Sequence, residues 1–296
     1  MTQTFNKRST AEQVLDGVNL GGQTVLVTGV NSGIGTETLR VLAGRGAHVI
    51  GTARTLEKAR AGCSVAAAST TPLACELTDL DSVRACAAAV AERFPQIDAI
   101  VANAGIMALP KLEQVRGIEK QFATNHLGHF LLVTSLLDKL AEGGRVVMVS
   151  SSAHTFAPKT GIEFENLSGE RGYSPMKAYG QSKLANVLFA RSLAKRLEGR
   201  ASANALHPGV IRTNLGRHFN PLLSLLMAPL FLPFSKSVAQ GAATSCLLAG
   251  HPSVAGITGR YFADCREAPM SALAEDEALA ERLWGVSEDL IASSAS

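Results

Sequence analysis

The chain is poor in the residues that mark secreted, zinc-binding or nucleic-acid-binding proteins. Its five cysteines, at positions 63, 75, 86, 246 and 265, are odd in number and include no Cys-x-x-Cys pair. That pattern argues against a disulfide framework and a structural zinc site, and it fits a reducing compartment. Aromatic residues make up 5% of the chain, the net charge is only +3, and Lys and Arg form no dense run. Nucleic acid is therefore not an expected partner.

Long hydrophobic runs are also lacking. The N-terminal stretch MTQTFNKRSTAEQVLDGV is polar and has no apolar centre of the kind a signal peptide needs. The most apolar run, PLLSLLMAPLFLPF at 221–234, has 14 residues and contains three prolines, which is too short and too interrupted to span a bilayer. We therefore expect a cytoplasmic protein without a transmembrane segment.

What is present is a regular alternation of short β-branched runs and longer helical patterns. The 296 residues are 46% hydrophobic, enough for a substantial core. The pattern predicts strands at 24–28, 48–52, 99–103, 145–150 and 202–206 and near 260, and helices at 34–43, 55–68, 80–93, 117–140, 175–197 and 235–248. Such an alternation favours an α/β fold, a single-domain doubly wound Rossmann fold with a parallel seven-stranded sheet flanked by helices.

The chain shows no linker or repeat that would divide it. We expect residues 1–20 to form an N-terminal arm and residues 21–296 a single dinucleotide-binding and catalytic domain. The segment 214–237 is rich in Leu, Phe, Met and Pro and follows the fifth of these predicted strands. It is expected to cover an apolar substrate pocket; packing against the protein body or against a second subunit is an equally weighted alternative.

A glycine-rich turn follows the first predicted strand. The stretch TGVNSGIG places Gly29, Gly33 and Gly35 immediately before a helix, where backbone N–H groups and the helix dipole suit a pyrophosphate. Asn31, Ser32 and Ile34 lie within the same turn. The spacing is a variant of the dinucleotide fingerprint, and a tight strand–helix turn without a ligand is the alternative explanation.

The end of the second predicted strand indicates which dinucleotide binds. An acidic residue at that place holds the ribose 2′-hydroxyl of NAD, whereas an arginine accommodates the 2′-phosphate of NADP. The sequence there is GTARTLEK, in which Arg54 is the first charged residue. NADP(H) is therefore preferred and NAD(H) remains possible, since Glu57 could pair with Arg54 and weaken the preference.

A tyrosine and a lysine lie four residues apart at the start of the predicted helix 175–197. Tyr179 and Lys183 share one helix face, because an α-helix turns once in 3.6 residues. A cation one turn away favours the phenolate and is expected to lower the pKa of the tyrosine toward neutrality. The alternative is that the pair is a surface feature of a solvated helix.

Taken together, six motifs resemble those of the short-chain dehydrogenase/reductase family. They are TGVNSGIG, ANAG at 102–105, TNHLGHF at 124–130, VSSSAH at 149–154, YGQSK at 179–183 and HPGVIRTNL at 207–215. The resemblance covers nearly the whole chain. SKLANVLFARSLAKRL and RLWGVSE at 282–288 make it most similar to the branch that contains retinol dehydrogenases.

The resemblance implies a catalytic tetrad of Asn125, Ser151, Tyr179 and Lys183, with Ser150 and Ser152 as alternatives to Ser151. Asn125 is expected to fix a water that relays protons to Lys183. The residues implied to contact the cofactor are Gly29, Asn31, Ser32, Gly33, Ile34, Gly35, Arg54, Glu76, Leu77, Asn103, Ala104, Gly105, Tyr179, Lys183, Pro208, Gly209 and Thr213.

Two features depart from the common family pattern. Glu76-Leu77 stands where the family often has Asp-Leu, so the contact to the adenine is expected through a longer side chain. The segment between Ser151 and Tyr179 is longer than in the shortest members, which again suits the retinol dehydrogenase branch. No metal is expected: His126 and His129 are spaced like a ligand pair but lack a third ligand, and packing or surface roles are favoured for both.

The predicted activity is hydride transfer between NADP(H) and a carbonyl/alcohol pair. A small hydrophobic ketone, aldehyde or alcohol is the expected substrate, of a retinoid-, steroid- or polyketide-like kind, and a homodimer or homotetramer is possible. Two alternatives are an NAD(P)-binding sensor without turnover and a dehydratase or epimerase that reuses the same pair. The intact Tyr-x3-Lys argues against the sensor, and the absence of the other group's motifs argues against the latter.

Overall fold

A central parallel sheet organises the described part of the chain. The computed structural model describes residues 5–211 and 235–293. Its main sheet has the strand order β10-β9-β8-β7-β4-β1-β2-β3. The ranges of these strands are β1 Thr24–Thr28, β2 His48–Ala53, β3 Thr70–Ala74, β4 Ile97–Ala102, β7 Leu140–Val149, β8 Ser202–His207, β9 Tyr261–Ala263 and β10 Arg266–Glu267, and a separate hairpin pairs β5 Gln114–Val115 with β6 Ile118–Glu119. A doubly wound α/β sheet is confirmed.

The sheet has eight strands where the sequence predicted seven. Seven of them run parallel, and β10 returns antiparallel to β9 at one edge. The two residues between these strands, Asp264 and Cys265, have φ of 53° and 60°. A two-residue turn with both φ values positive is the usual hairpin connection, and Asp suits its first position, but Cys265 stands where Gly is normally found, so the sequence signal for this hairpin is weak.

Helices cover both faces of the sheet. Their ranges are α1 Ala11–Val14, α2 Gly33–Gly44, α3 Leu56–Cys63, α4 Leu80–Arg93, α5 Lys120–Phe122, α6 Gly128–Thr134, α7 Pro175–Arg196, α8 Val238–Gly250, α9 Ala272–Glu275 and α10 Glu277–Ser293. One core lies between the sheet and α4, α6, α7 and α10, and a second between the sheet and α1, α2 and α8. Both faces of the central strands are thus buried, which explains their continuous apolar character.

Several elements differ from the predicted pattern, and three of the differences bear on the core. The helix predicted at 117–140 begins only at Lys120, passes through a π-helical turn at Ala123–Leu127 and ends at Thr134. Its start is set by Glu119, whose carboxylate accepts a hydrogen bond from the Phe122 N–H at 2.9 Å. Strand β3 was missed because it is a half-exposed edge strand containing Pro72. Helix α10 was also missed.

The N-terminal residues pack onto the body of the protein. Thr10 caps α1 through a reciprocal hydrogen-bond pair with Gln13. Ala11, Val14 and Leu15 are fully buried in the core that α2 and α8 form with the sheet. Within the described ranges, no helix combines the length and apolar character that crossing a membrane requires.

Candidate active site

A cleft of about 670 Å³ opens beyond the carboxyl ends of the parallel strands. It lies where the strand order reverses between β1 and β4, the place where doubly wound sheets bind their ligands. Among the described residues, all the predicted cofactor residues except Gly209 line it. They are Gly29, Asn31, Ser32, Gly33, Ile34, Gly35, Arg54, Glu76, Leu77, Asn103, Ala104, Gly105, Tyr179, Lys183 and Pro208.

The glycine-rich loop (residues 28–35) has a shape that only glycine permits. Gly29 and Gly33 have φ of 73° and 61°, in the left-handed region. A Cβ on Gly29 would meet the Ala104 Cα at 2.9 Å, and a Cβ on Gly35 would collide with the Gly29 carbonyl. The backbone segments of β1, α2 and the 103–105 loop therefore pack together without side chains between them.

The N-terminus of α2 offers polar groups to a ligand in the cleft. Ser32 is the N-cap residue, yet its hydroxyl makes no hydrogen bond to the helix backbone, unlike the capping side chains of α3 and α4. The hydroxyl and the first N–H groups of α2 are thus free to bind a phosphate. This free cap and the glycine cradle fit a dinucleotide pyrophosphate.

Thr28, which sequence analysis did not single out, ties the loops around the cleft together. Its hydroxyl accepts hydrogen bonds from the N–H groups of Asn103 and Ala104, both at 2.9 Å. The Asn103 amide in turn donates to the Thr28 carbonyl at 2.8 Å. The end of β1 and the end of β4 are therefore held in fixed register. This role depends on contacts between distant chain segments, which residue patterns do not reveal.

Arg54 lies at the rim of the cleft where β2 ends. It is exposed, and within residues 5–211 and 235–293 its guanidinium has no ion-pair partner, Glu57 included. The competition from Glu57 that the sequence allowed is therefore absent from the described contacts. Glu76, on the next loop, accepts hydrogen bonds from the Thr78 N–H at 3.2 Å and its hydroxyl at 2.9 Å, which fix its carboxylate beside the cleft.

Asn125 lies in the π-helical turn, and its side chain hydrogen-bonds to neighbouring segments of the chain. Its Oδ1 accepts from the Ile106 N–H at 2.8 Å, and its Nδ2 donates to the Ile106 carbonyl and to the Ser182 hydroxyl, both at 2.9 Å. A Cβ on Gly105 would approach Asn125 Oδ1 at 3.0 Å and Lys183 Nζ at 3.4 Å. Asn125 thus joins the 105–106 loop to α7, and its predicted role with a water stays a prediction.

Tyr179 and Lys183 lie on the buried face of α7 and border the cleft. Tyr179 is 7% exposed and Lys183 is 4% exposed, so the pair is not a solvated surface feature. The Lys183 ammonium donates to the Val149 carbonyl at 2.9 Å and lies 5.9 Å from the centre of the Tyr179 ring. Pro175 begins α7, which suits the first turn of a helix, and places both residues within its first three turns.

The predicted fall in the pKa of Tyr179 is not what the structure gives. Burial raises the pKa of Tyr179, and a hydrogen bond with Ser151 opposes that shift only in part. Burial also lowers the pKa of Lys183 to about 8. Both shifts have the same origin: a buried site disfavours the phenolate and the ammonium alike. At neutral pH Tyr179 therefore retains its proton and Lys183 its charge.

Of the three serines after β7, Ser151 is the one that acts on the pKa of Tyr179, which its hydroxyl lowers in part. Ser150 points inward and donates to the Lys183 carbonyl at 2.7 Å, and Ser152 is exposed. The Ser151 hydroxyl also accepts from the Ala153 N–H at 3.1 Å, so its own proton is free for an acceptor near Tyr179. Ser150 lines the cleft as well, so the choice of Ser151 over its neighbours stays a prediction.

His126 and His129 are both fully buried and hydrogen-bonded. His126 bonds to the Ser287 hydroxyl of α10 at 2.9 Å. His129 bonds to the Thr28 hydroxyl at 2.9 Å and to the Asn125 carbonyl at 3.0 Å. Since the Thr28 hydroxyl already accepts two N–H groups, it donates to His129 Nε2, and Nδ1–H donates to Asn125. Burial lowers the pKa of His129 to about 4, so this neutral form persists at physiological pH.

The far end of the cleft lies near β8. Pro208 lines the cleft, and the adjacent Gly209 has φ of 93° and packs closely on the Lys236 side chain, which a Cβ would meet at 2.8 Å. The predicted contact residue Thr213 and the predicted lid residues 214–234 lie outside the described residues. In the parts of the chain that the structure covers, no group of three or more His, Cys, Asp or Glu residues is placed to hold a metal ion.

Comparison of the sequence with known proteins finds relatives that cover most of the chain. Residues 23–222 match the family model described as short chain dehydrogenase. The chain is 40% identical to the short-chain dehydrogenase TIC 32 B, chloroplastic, of Brassica napus, over 98% of this chain and 95% of that one. It is 42% identical to human retinol dehydrogenase 12, over 93% of this chain and 88% of that one.

Solved structures share the fold. A crystal structure of a blue fluorescent protein from a metagenomic library, in complex with NADPH, superposes with a TM-score of 0.67 at 26% sequence identity. The match covers 82% of this chain and 96% of that chain.

Proposed function

The chain belongs to the short-chain dehydrogenase family, and from this premise we propose that it is an NADP(H)-dependent oxidoreductase of hydrophobic carbonyl compounds or alcohols. Membership of the family makes it an oxidoreductase that uses a nicotinamide cofactor. The observation that carries the finer proposal is that the glycine-rich loop, Arg54, Tyr179 and Lys183 line one cleft.

The preference for NADP(H) is supported by the charge at the end of β2. Arg54 borders the cleft with no competing carboxylate bound to it in the described contacts. A guanidinium has the planar fork that suits a phosphate, and the 2′-phosphate is what distinguishes NADP from NAD. The structural relative named above was crystallised with NADPH.

The nicotinamide, when bound, supplies or accepts the hydride. The glycine-rich loop and Ser32 would hold the pyrophosphate, Glu76 and Leu77 the adenine end, and Pro208 the nicotinamide end. One of the three Lys183 protons is used on the Val149 carbonyl, which leaves two for the ribose hydroxyls.

Tyr179 supplies the proton at the substrate oxygen. Because its pKa is raised, it carries its proton at neutral pH and acts as the donor in the direction of carbonyl reduction. The Ser151 hydroxyl, adjacent to it, donates a hydrogen bond to the same oxygen and polarises the carbonyl. The Lys183 ammonium stabilises the phenolate that remains after the proton has moved, so the pair still works together although it does not lower the resting pKa.

A hydrophobic substrate is supported by the composition of the segment 214–237 and by its relatives. That segment is apolar between 219 and 234. Ile106, Met107 and Val238 add apolar surface to the cleft. Curated relatives at 41–42% identity are named retinol dehydrogenase 12.

The proposal is tested by mixing the purified protein with NADPH or NADH and a panel of carbonyl compounds while following the absorbance of the reduced cofactor. We expect faster turnover with NADPH than with NADH and with bulky hydrophobic aldehydes or ketones than with small sugars. A preference for polar sugars would contradict the substrate class. Tight NADPH binding without turnover of any compound would instead support a sensor.

A further inference from the structure

His154 is a buried histidine that the proposed mechanism does not use. It lies in the 3₁₀ turn Ser152–Phe156 that directly follows Ser151, and it is 4% exposed. Its Nδ1 hydrogen-bonds to the Ser151 carbonyl at 2.8 Å, and its backbone N–H donates to the same carbonyl at 3.1 Å. The ring donor and the backbone donor of this residue therefore converge on one backbone oxygen of Ser151.

The other nitrogen of the ring has no use in stabilising the fold. Because a carbonyl can only accept, Nδ1 carries the proton and Nε2 is a lone-pair acceptor. His154 Nε2 is buried and has no hydrogen-bond partner among the described residues. A buried, unpaired polar atom is costly, so an apolar side chain would serve packing better at this position. What the histidine adds is its bond to Ser151.

The turn that His154 closes is pressed against the catalytic helix. A Cβ on Gly180, the residue after Tyr179, would meet the Ala153 carbonyl at 2.7 Å and the Ala157 N–H nitrogen at 2.8 Å. The position of this turn thus sets how Ser151 faces Tyr179. The ring of Tyr261 packs edge-on against His154, with 5.1 Å between the ring centres, and holds the imidazole in place from the side of β9.

We propose that His154 is a positioning residue, which fixes the Ser151 carbonyl and thereby aims the Ser151 hydroxyl at the oxygen that Tyr179 protonates. This inference rests on the proposed function, since it assigns His154 a role in that reaction. Small displacements of a catalytic group are enough to matter, because a shift of about 1 Å can cost roughly a hundredfold in rate.

The test compares His154→Leu with His154→Asn. Asparagine and leucine have similar shapes, but only the asparagine amide can place an N–H where Nδ1–H lies and so keep the bond to Ser151. We expect His154→Leu to lower kcat roughly ten- to a hundredfold with an unchanged Kd for NADPH, and His154→Asn to recover most of that loss. Equal losses in the two variants, or full activity of His154→Leu, would overturn the proposal.

A double-mutant cycle separates positioning from general packing. If His154 acts through Ser151, then His154→Leu should have little further effect on kcat in a Ser151→Ala background. Additive losses would show that it acts elsewhere. Tyr173→Phe, which removes a hydroxyl that donates to the Leu109 carbonyl at 2.6 Å and does not line the cleft, serves as the control and should leave kcat unchanged. A loss in this control equal to that of His154→Leu would show that the effect is not specific to His154 and would contradict the proposal.

The wild-type protein provides a measurement that does not depend on the folding of a variant. ¹⁵N NMR of the imidazole should show His154 as the neutral Nδ1–H tautomer at neutral pH, and an Nε2–H tautomer would overturn the inference. If the wild type itself fails to turn over any carbonyl compound, the proposed function fails; if only the His154 results disagree, this inference fails alone.

Discussion

Along the glycine-rich loop the cleft is bounded by backbone, whereas around Tyr179 and Lys183 it is bounded by buried polar side chains. On the first side, Gly29 and Gly35 let the backbone segments of the loop pack closely together, because a Cβ on either residue would collide with the facing backbone. On the second side, Asn125 and Ser151 are each anchored by hydrogen bonds to backbone groups. The same cleft is thus bounded by closely packed backbone on one side and by hydrogen-bonded polar and charged side chains on the other.

The two sides of the cleft are expected to control two different properties, cofactor binding and turnover. The backbone side determines whether a dinucleotide binds, and its residues should be sensitive to added volume. The buried polar side determines whether chemistry follows binding, and substitutions of Tyr179 and Ser151 there should lower turnover while cofactor affinity is retained. Substitutions on the two sides should therefore separate affinity for NADPH from turnover.

The largest separation between turnover and NADPH affinity is expected for Tyr179→Phe. Loss of the hydroxyl removes the proton donor and should lower kcat by about 10²–10⁴-fold, while the Kd for NADPH stays near the wild-type value. Steady-state kinetics and a fluorescence titration with NADPH measure the two quantities. Tyr173→Phe is a matched control: its hydroxyl bonds the Leu109 carbonyl at 2.6 Å and does not line the cleft. Retention of full turnover by Tyr179→Phe would refute the mechanism.

Lys183→Met should lose activity and gain stability at neutral pH. The pKa of Lys183 falls from 10.5 to about 8, so its charge costs the folded state about 3 kcal/mol below pH 8. The lost bond to Val149 offsets about 1 kcal/mol, which leaves a net gain of about 2 kcal/mol in the free energy of unfolding.

The pH dependence of that gain follows from the direction of the shift. The cost is full below pH 8, shrinks as the folded protein releases the proton, and vanishes above the unfolded pKa of 10.5. Urea unfolding of the wild type and Lys183→Met at several pH values measures it. For the same reason kcat of the wild type should fall as pH rises through about 8, because the ammonium that stabilises the phenolate is lost. A stability gain that grew with pH would contradict this account.

Gly35→Ala tests the backbone side. Its Cβ would collide with the Gly29 carbonyl and approach Asn103 Nδ2 at 2.6 Å, so the loop must shift. We expect a loss of about 1–3 kcal/mol in stability and a weaker Kd for NADPH. Gly44→Ala, on the same helix with nothing within 4 Å of the new Cβ, is the matched control and should stabilise by up to about 1 kcal/mol. Equal effects of the two substitutions would argue against the close approach at Gly35.

The smallest effect is expected for Arg54, which lies at the rim of the cleft. Arg54→Ala should weaken NADPH binding about tenfold and leave NADH binding unchanged, because only the 2′-phosphate contact is removed. Arg60→Ala, an exposed arginine at the other end of α3 that does not line the cleft, should change neither. An unaltered ratio of NADPH to NADH affinity in Arg54→Ala would remove the basis for the NADP preference.

Sequence patterns predicted the fold well where local signals and packing agree. Helix α4 has the predicted bounds of 80–93, since Asp79 caps it and a Phe with extended backbone ends it. Strand β1 matches the predicted 24–28 for a similar reason: its apolar run fills the centre of the sheet. The hairpin to β10 was not predicted, because Cys265 adopts a positive φ at the position where such turns usually carry Gly.

The sequence predicted which residues form the site, but not how deeply they are buried or which hydrogen bonds hold them. Spacing places Tyr179 and Lys183 on one helix face. Burial then raises the pKa of Tyr179 and lowers that of Lys183, which favours the neutral form of both groups, and the spacing does not reveal this. The tie between Thr28, Asn103 and His129 joins three distant segments, and no local pattern marks it. Long-range contacts, and the desolvation they cause, are what the sequence does not display.

Following the hydride with a deuterium label tests the proposed reduction of carbonyl compounds by NADPH most directly. A hydrophobic aldehyde is reduced with NADPH that carries deuterium at both C4 positions of the nicotinamide, and the alcohol is analysed by mass spectrometry. We predict an alcohol with one deuterium on the carbinol carbon, formed by Tyr179→Phe at least about a hundredfold more slowly than by the wild type. An alcohol without deuterium, or no alcohol from a folded protein saturated with NADPH across the whole carbonyl panel, would contradict the central claim.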